Sequence, residues 1–284
     1  MPEIAYLNHE FMPLDQAFVS VNDRGYLFAD GVYEVIVTTG GKLFLLDEHL
    51  DRLEYSAVAI NLKLPRNRLE LVELFRRGLQ LAGHDDSMIY LQVTRGTAPR
   101  RHDYAADLPA NLFMSFRRRP QYSSELREKG VSLLKVEDIR WQRCDIKSIA
   151  LLPNTMMKQL AIEKGFQEAL FVSKEGLIRE ATSANLFLVR QGELLTPPAD
   201  HHILGGITRN FILREAAARG IRVCERECTF AETLAADEVF ITSSTINLFP
   251  VKRIDDHLIA DGRPGPLSRT IATFFQPGSP SQKA

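Results

Sequence analysis

A short stretch from Arg118 to Ser124, carrying Pro120 and little apolar content, divides this chain into two blocks. Each block runs through its own set of strands and helices. Proline-bearing segments of low apolar content are where compact units separate. A length of 284 residues suffices for about two average domains. The pattern predicts a small α+β domain over 1–117, a linker over 118–124, a larger domain over 125–276 and a disordered tail over 277–284.

In the first block, residues 3–7 and 11–21 flank the turn-like Asn8-His9-Glu10 and read as a hairpin. Tyr33–Thr39 and Lys42–Leu46 are β-rich runs separated by Gly40-Gly41, a two-residue hairpin signal. Asp47 reads as an N-cap, followed by Leu50, Leu53, Ala57 and Ile60 at helical spacing. A second helix is expected over Asn67–Ala82, closed by Gly83, and strands at Met88–Thr94 and Leu112–Phe116. No Gly-rich dinucleotide fingerprint follows a strand. In the second block, strands are expected at Val131–Val136, Ala169–Val172, Asn185–Val189, Arg222–Glu227, Glu238–Thr242 and Val251–Ile254. Helices are expected at Leu152–Lys164, with Met156 and Leu160 on one face, from Ile207 to Gly220, and over Leu267–Phe275.

Composition narrows the function classes. Lys+Arg 35 against Asp+Glu 36 leaves a net charge of -1, so no global basic field exists to hold a nucleic-acid backbone. The run Arg117-Arg118-Arg119 before Pro120 reads as a solvated linker. No stretch approaches the ~18 apolar residues of a membrane span, and MPEIAYLNHEFM lacks the features of a secretory signal. Three cysteines fit a reduced compartment, and Cys224 and Cys228, read on one strand, are too far apart to bond. No metal-ligand spacing stands out. A cytoplasmic location and no metal are therefore expected.

Four segments are denser in reactive groups than structure alone requires. In Arg143-Cys144-Asp145-Ile146-Lys147-Ser148, a lysine between an apolar residue and a serine can be drawn inward, where burial would favour the neutral, Schiff-base-forming amine. Gly205-Gly206-Ile207-Thr208-Arg209 opens a helix whose N-terminus suits a single phosphate. Thr242-Ser243-Ser244-Thr245 is a hydroxyl cluster that could complete such a cup, and Glu180 precedes the strand at Asn185. Each alone has an ordinary reading: a surface lysine, a flexible helix start, a polar turn, a solvent-facing glutamate. Together, an imine lysine, a cup for one phosphate and a carboxylate for a ring nitrogen describe pyridoxal phosphate.

With these residues the sequence resembles the fold-type IV pyridoxal-phosphate enzymes, and among them the bacterial D-amino acid transaminases. The pattern runs through Asp23-Arg24-Gly25-Tyr26, Asp30-Gly31-Val32-Tyr33-Glu34, Glu48-His49-Leu50-Asp51-Arg52-Leu53, Val93-Thr94-Arg95-Gly96-Thr97, Arg143 to Ser148 and Gly206-Ile207-Thr208-Arg209. The resemblance implies a two-domain α/β (α+β) fold with the cofactor, pyridoxal 5'-phosphate, at the domain interface. It implies Lys147 as the Schiff-base lysine and proton shuttle, and Glu180 at the pyridine nitrogen. It places Arg52, Ile207, Thr208, Ser243 and Ser244 around the phosphate and Leu204 against the ring. Helix spacing alone would make Arg52 a surface residue. Arg143 falls near the cofactor with no assigned role.

The resemblance further implies a substrate-carboxylate trap of Tyr33, Arg100 and His102, with Arg101 lying between the last two. The implied reaction moves an amino group between a D-amino acid such as D-alanine and a 2-oxo acid such as 2-oxoglutarate. A homodimer is implied, with Arg100 and His102 reaching the partner subunit's site. Rivals of the same fold are a branched-chain L-amino acid transaminase and aminodeoxychorismate lyase, against which the trap residues argue. A catalytically silent cofactor-binding protein is disfavoured by Lys147 and Glu180.

Overall fold

Gly40 and Gly41 take φ of 56° and 75°, the left-handed backbone that a two-residue turn demands. The chain accordingly reverses there, as its sequence predicts. The computed structural model describes residues 3–276, so the tail expected to be disordered at 277–284 lies outside the described residues. The chain divides into one unit of Met1–Pro120 with Ile146–Ala150, and another of Gln121–Asp145 with Leu151–Ala284.

The first unit contains β1 (Ile4–Leu7), β2 (Glu10–Pro13), α1 (Arg24–Phe28), β3 (Gly31–Thr39), β4 (Lys42–Leu43), α2 (Leu46–Ala59), α3 (Arg68–Ala82), β5 (Ser87–Thr94) and β6 (Asn111–Arg118). Its six-stranded sheet runs β2-β1-β6-β5-β3-β4, antiparallel throughout. Alternate residues of β3, β5 and β6, including Ile36, Ile89 and Phe116, are buried in one core with Leu50 and Leu53 of α2 and Phe75 of α3. This is the period-2 and helical patterning read from the sequence. Asn67 and Glu70 form a reciprocal capping box on α3.

Several local expectations need correction. The strand after Asn8-His9-Glu10 ends at Pro13 rather than continuing to residue 21, and β4 stops at Leu43 rather than Leu46. The N-cap of α2 is Leu45 with φ 52°, and Asp47 sits inside the first turn. There its charge still favours the helix N-terminus. Arg117 and Arg118 belong to β6, opposite Met88 and Ser87, and are not linker.

The second unit comprises α4 (Ser124–Lys129), β7 (Val131–Glu137), α5 (Leu152–Glu163), β8 (Glu168–Val172), β9 (Ile178–Ala181), β10 (Asn185–Arg190), β11 (Glu193–Thr196), α6 (Ile207–Ala218), β12 (Arg222–Glu225), α7 (Phe230–Leu234), β13 (Glu238–Ser243), β14 (Asn247–Ile254), β15 (His257–Leu258) and α8 (Pro266–Ala272). Its nine-stranded mixed sheet runs β12-β11-β10-β13-β14-β7-β8-β9, with β15 beside β14. On α5, Met157 rather than Met156 joins Leu160 against Phe166 and Phe171, while Met156 is half exposed. The strand read through Cys228 ends at Glu225, and all three cysteines are free.

Candidate functional site

The placement of Lys147 follows from a gap in the first sheet. The short β4 pairs only with Thr38 and Thr39, which leaves the edge of β3 at Gly31–Tyr33 open. Residues 147–149 fill that edge. Tyr33 donates its N–H to the Lys147 carbonyl at 3.0 Å, Ile149 donates to Gly31 at 3.1 Å, and Val32 bridges Ser148. The Lys147 N–H donates to the Ser56 hydroxyl of α2 at 3.1 Å. Lys147 is thus fixed through its backbone while its Nζ stands 4.3 Å from the centroid of the Tyr33 ring. Two of the residues singled out from the sequence are in contact.

Beside them lies a charged cluster that helical spacing alone would not reveal. Glu34 on β3 is fully buried and accepts from Arg52 Nε at 2.8 Å and Nη2 at 2.9 Å. His49 Nδ1 lies 2.7 Å from Oε2 of the same carboxylate, the oxygen that also accepts from Arg52 Nη2. Burial works to raise the Glu34 pKa, but Arg52 and His49 together hold it far below the ordinary carboxylate value. Burial lowers the pKa of His49, with Arg52 and Lys147 adding to the effect against the opposing pull of Glu34. Arg52 is therefore not a surface arginine: its side chain is 10% exposed.

Arg100 and His102 sit on the exposed loop after β5, both against Phe28 of α1. The Arg100 guanidinium lies 5.2 Å from the Phe28 centroid, and the His102 ring meets it edge-on at 5.6 Å. Arg101 turns away to pair with Asp103 at 3.0 Å. Of the two neighbouring arginines, Arg100 is the one grouped with His102.

In the second unit, Glu180 occupies β9, a strand whose four residues are all buried. Its carboxylate is enclosed by donors. Arg140 Nη1 donates at 2.5 Å, Asn185 Nδ2 at 3.0 Å and the Leu204 backbone N–H at 3.2 Å. Arg140 also grips Asp138 through Nε and Nη2, each at 2.9 Å, and lies 4.4 Å from the Phe171 centroid. Burial opposes the charge on Arg140, but Glu180 and Asp138 outweigh it and hold the pKa above the ordinary value. Arg143, the arginine that the sequence motif singles out, pairs instead with Asp145 on a more exposed surface. Arg140 carries no motif, so nothing in the sequence marks it. The turn at 200–202 also brings ligand atoms of Asp200, His201 and His202 within 4.8 Å of one another. There burial and Arg179 lower the pKa of His202.

Asn185 joins the remaining parts. Its partner across the sheet is Thr242, and its Nδ2 donates to the Leu204 carbonyl at 2.9 Å. A Cβ on Gly206 would stand 1.9 Å from Asn185 Oδ1, so only glycine allows α6 to begin so close to β10. No side chain caps that helix start, which leaves the first-turn N–H groups at Ile207 and Thr208 for an anion. Thr242 Oγ1 is buried without a hydrogen-bond partner, and the next residue, Ser243, pairs with Thr245 at 3.2 Å. An uncapped helix N-terminus beside an orphaned hydroxyl and a serine-bearing strand end fits a phosphate group. The nearby buried carboxylate fits a protonated ring nitrogen.

Comparison with known proteins agrees with this chemistry. Residues 31–254 match the family model for amino-transferase class IV. The D-alanine aminotransferase of Bacillus licheniformis is 41% identical over 95% of this chain and 94% of its own length. That of Listeria monocytogenes is 38% identical over 95% and 93%. Among solved structures, the branched-chain amino acid aminotransferase of Escherichia coli superposes with TM-score 0.90 over 97% of this chain and 94% of its own, at 24% identity. The T.th. branched-chain amino acid aminotransferase with pyridoxamine 5'-phosphate gives 0.88 over 94% and 91%, at 26% identity.

Proposed function

Because this chain belongs to the class IV aminotransferase family, we propose that it transfers the amino group of a D-amino acid, D-alanine foremost, to a 2-oxo acid such as 2-oxoglutarate, using pyridoxal 5'-phosphate. The observation that carries the reading is the buried Glu180 carboxylate beside the uncapped start of α6, in a chain 41% identical to a D-alanine aminotransferase. When bound, the pyridoxal ring supplies an electron sink for negative charge developing at the substrate Cα.

The chain's own residues then divide the work. Ile207 and Thr208 would offer N–H groups, and Ser243 and Ser244 hydroxyls, to the phosphate. Arg52 would add its guanidinium there, its Nε and Nη2 already directed by Glu34. Glu180 would hold a proton on the ring nitrogen, with Leu204 packed against the ring. Lys147 Nζ would bind the cofactor and move the proton at the substrate Cα. Tyr33, Arg100 and His102 would hold the substrate carboxylate, and Arg143 would remain peripheral.

A homodimer is part of this proposal. Phe18, Val19, Val21 and Tyr26 form an exposed apolar segment, the kind of surface a second copy covers, and Arg100 and His102 would act across that interface. Among the described residues no helix is long and apolar enough to cross a membrane. With three free cysteines, the cytoplasm is the proposed location.

The deciding experiment compares D- and L-alanine, and D- and L-leucine, with 2-oxoglutarate as acceptor. D-alanine should turn over fastest. Faster turnover of L-leucine than of any D-amino acid would replace this reading with a branched-chain enzyme. Release of pyruvate from aminodeoxychorismate without amine transfer would replace it with a lyase.

A further inference from the structure

Within the segment Asp23-Arg24-Gly25-Tyr26, Arg24 has no assigned role, yet it is buried to 4% exposure. Its guanidinium is divided between two tasks. Nε donates to Asp30 Oδ2 at 2.9 Å. The two terminal nitrogens point the other way, into the backbone after β5. Nη1 donates to the Arg101 carbonyl at 2.6 Å and reaches the Asp103 carbonyl at 3.5 Å. Nη2 donates to the His102 carbonyl at 3.2 Å. A single cation thus holds three consecutive carbonyls of a loop without regular secondary structure.

The surroundings brace it. Arg95 donates through Nε to the same Asp30 at 2.9 Å, and its terminal nitrogens hold the carbonyls of Ile60 and Asn61 at the end of α2. The Tyr104 ring lies 3.9 Å from the Arg95 guanidinium and 5.1 Å from that of Arg24. Phe28 stands 4.8 Å from Arg24 and carries Arg100 and His102 on its ring. Asp30 is shared with Arg95, so Arg24 needs further acceptors for its terminal nitrogens. The remaining donors are directed at the one stretch of backbone that carries Arg100 and His102.

We propose that Arg24 is a positioning residue for the substrate-carboxylate loop: its guanidinium fixes the backbone at 101–103 so that Arg100 and His102 are presented together. This rests on the proposed role of those two side chains. A planar fork can bind Asp30 on one edge and carbonyls on the other, whereas an ammonium keeps the charge but has a single donor centre. Arg24→Lys therefore separates positioning from charge.

The test uses the cofactor-loaded enzyme with D-alanine and 2-oxoglutarate. Arg24→Lys should raise the KM for D-alanine about tenfold or more, while kcat falls less than about threefold. The cofactor absorbance should not change. Adding Arg24→Lys to Arg100→Ala should cost little beyond Arg100→Ala alone, since residues acting through one another are not additive. An unchanged KM in Arg24→Lys, or full additivity with Arg100→Ala, overturns the proposal while leaving the transaminase reading intact. An Arg100→Ala enzyme with unchanged KM overturns both the carboxylate-trap reading and this one. If Arg24→Lys does not fold, Phe28→Leu tests the same loop from its other support: the proposal requires a raised KM with unaltered cofactor absorbance, and an unchanged KM overturns it.

Discussion

Arg140 Nη1 and Glu180 Oε1 lie 2.5 Å apart, with side chains only 4% and 9% exposed. The guanidinium and the Leu204 and Asn185 N–H groups all donate to this carboxylate. Glu180→Gln would remove the carboxylate and keep the shape. Turnover should fall by about 10²–10³, the size seen when one preorganised electrostatic contact is removed from an active site. Cofactor should remain bound through the phosphate group. Steady-state kinetics alongside cofactor absorbance would check both halves, and undiminished turnover would refute the assignment.

Removing the other partner should read out mainly as stability. Arg140→Leu leaves the buried Glu180 and the half-buried Asp138 without their shared cation, and breaking one side of a buried pair costs about 3–5 kcal/mol. Urea unfolding of the variant should show a lower midpoint at an unchanged slope. A midpoint equal to that of the native chain would mean the pair is energetically neutral.

The Glu34–His49 pair makes stability pH-dependent in two windows. The folded-state pKa of His49 is below its ordinary 6.5, so as pH falls through that value the unfolded chain takes up a proton that the folded chain does not. Stability is therefore full above about pH 7 and declines below it. Glu34 titrates in the fold far below its ordinary 4.5. Its contribution is full above that value and is lost progressively as pH falls from there into the strongly acid range. His49→Gln should flatten the slope of unfolding free energy between about pH 5 and 7 without removing the acid limb. Denaturant titrations across that range would measure it, and an unaltered slope would exclude His49 as its source.

Gly206→Ala should damage cofactor retention more than folding. The new methyl would displace Asn185 Oδ1 and with it the start of α6 against β10. A loss in cofactor affinity of about tenfold, near 1.4 kcal/mol, is expected, measured by equilibrium dialysis. Unchanged affinity would show that the helix start does not hold the phosphate.

Borohydride reduction of the cofactor-loaded enzyme should attach the label to the peptide containing Lys147, and Lys147→Ala should lose both the label and multiple turnover. Mass spectrometry finding the label on another lysine would reassign the site.

What can be read along the chain is local and periodic. The turn at Gly40-Gly41 and the end of α3 at Gly83 depend on a few neighbouring residues. So does the buried stripe Leu50, Leu53 and Ala57, and all three are visible before any fold is known. The segments around Lys147, Glu180 and Gly206 each have an ordinary reading alone, and only their combination and the family resemblance single them out. Other features depend on partners distant in sequence. Strand β9 places Arg179 and Glu180 among buried residues, where composition reads two charges as solvated. Glu180 meets its counter-ion in Arg140, 40 residues away, and Arg179 lies 3.9 Å from Glu227. Lys147 is positioned by an unfilled edge of β3, and Arg52 is buried because Glu34 lies beneath it. Side-chain periodicity is encoded over one or two turns of chain. Where a buried charge finds its counter-ion, and which strand edge stays open, is decided only when the sheets assemble.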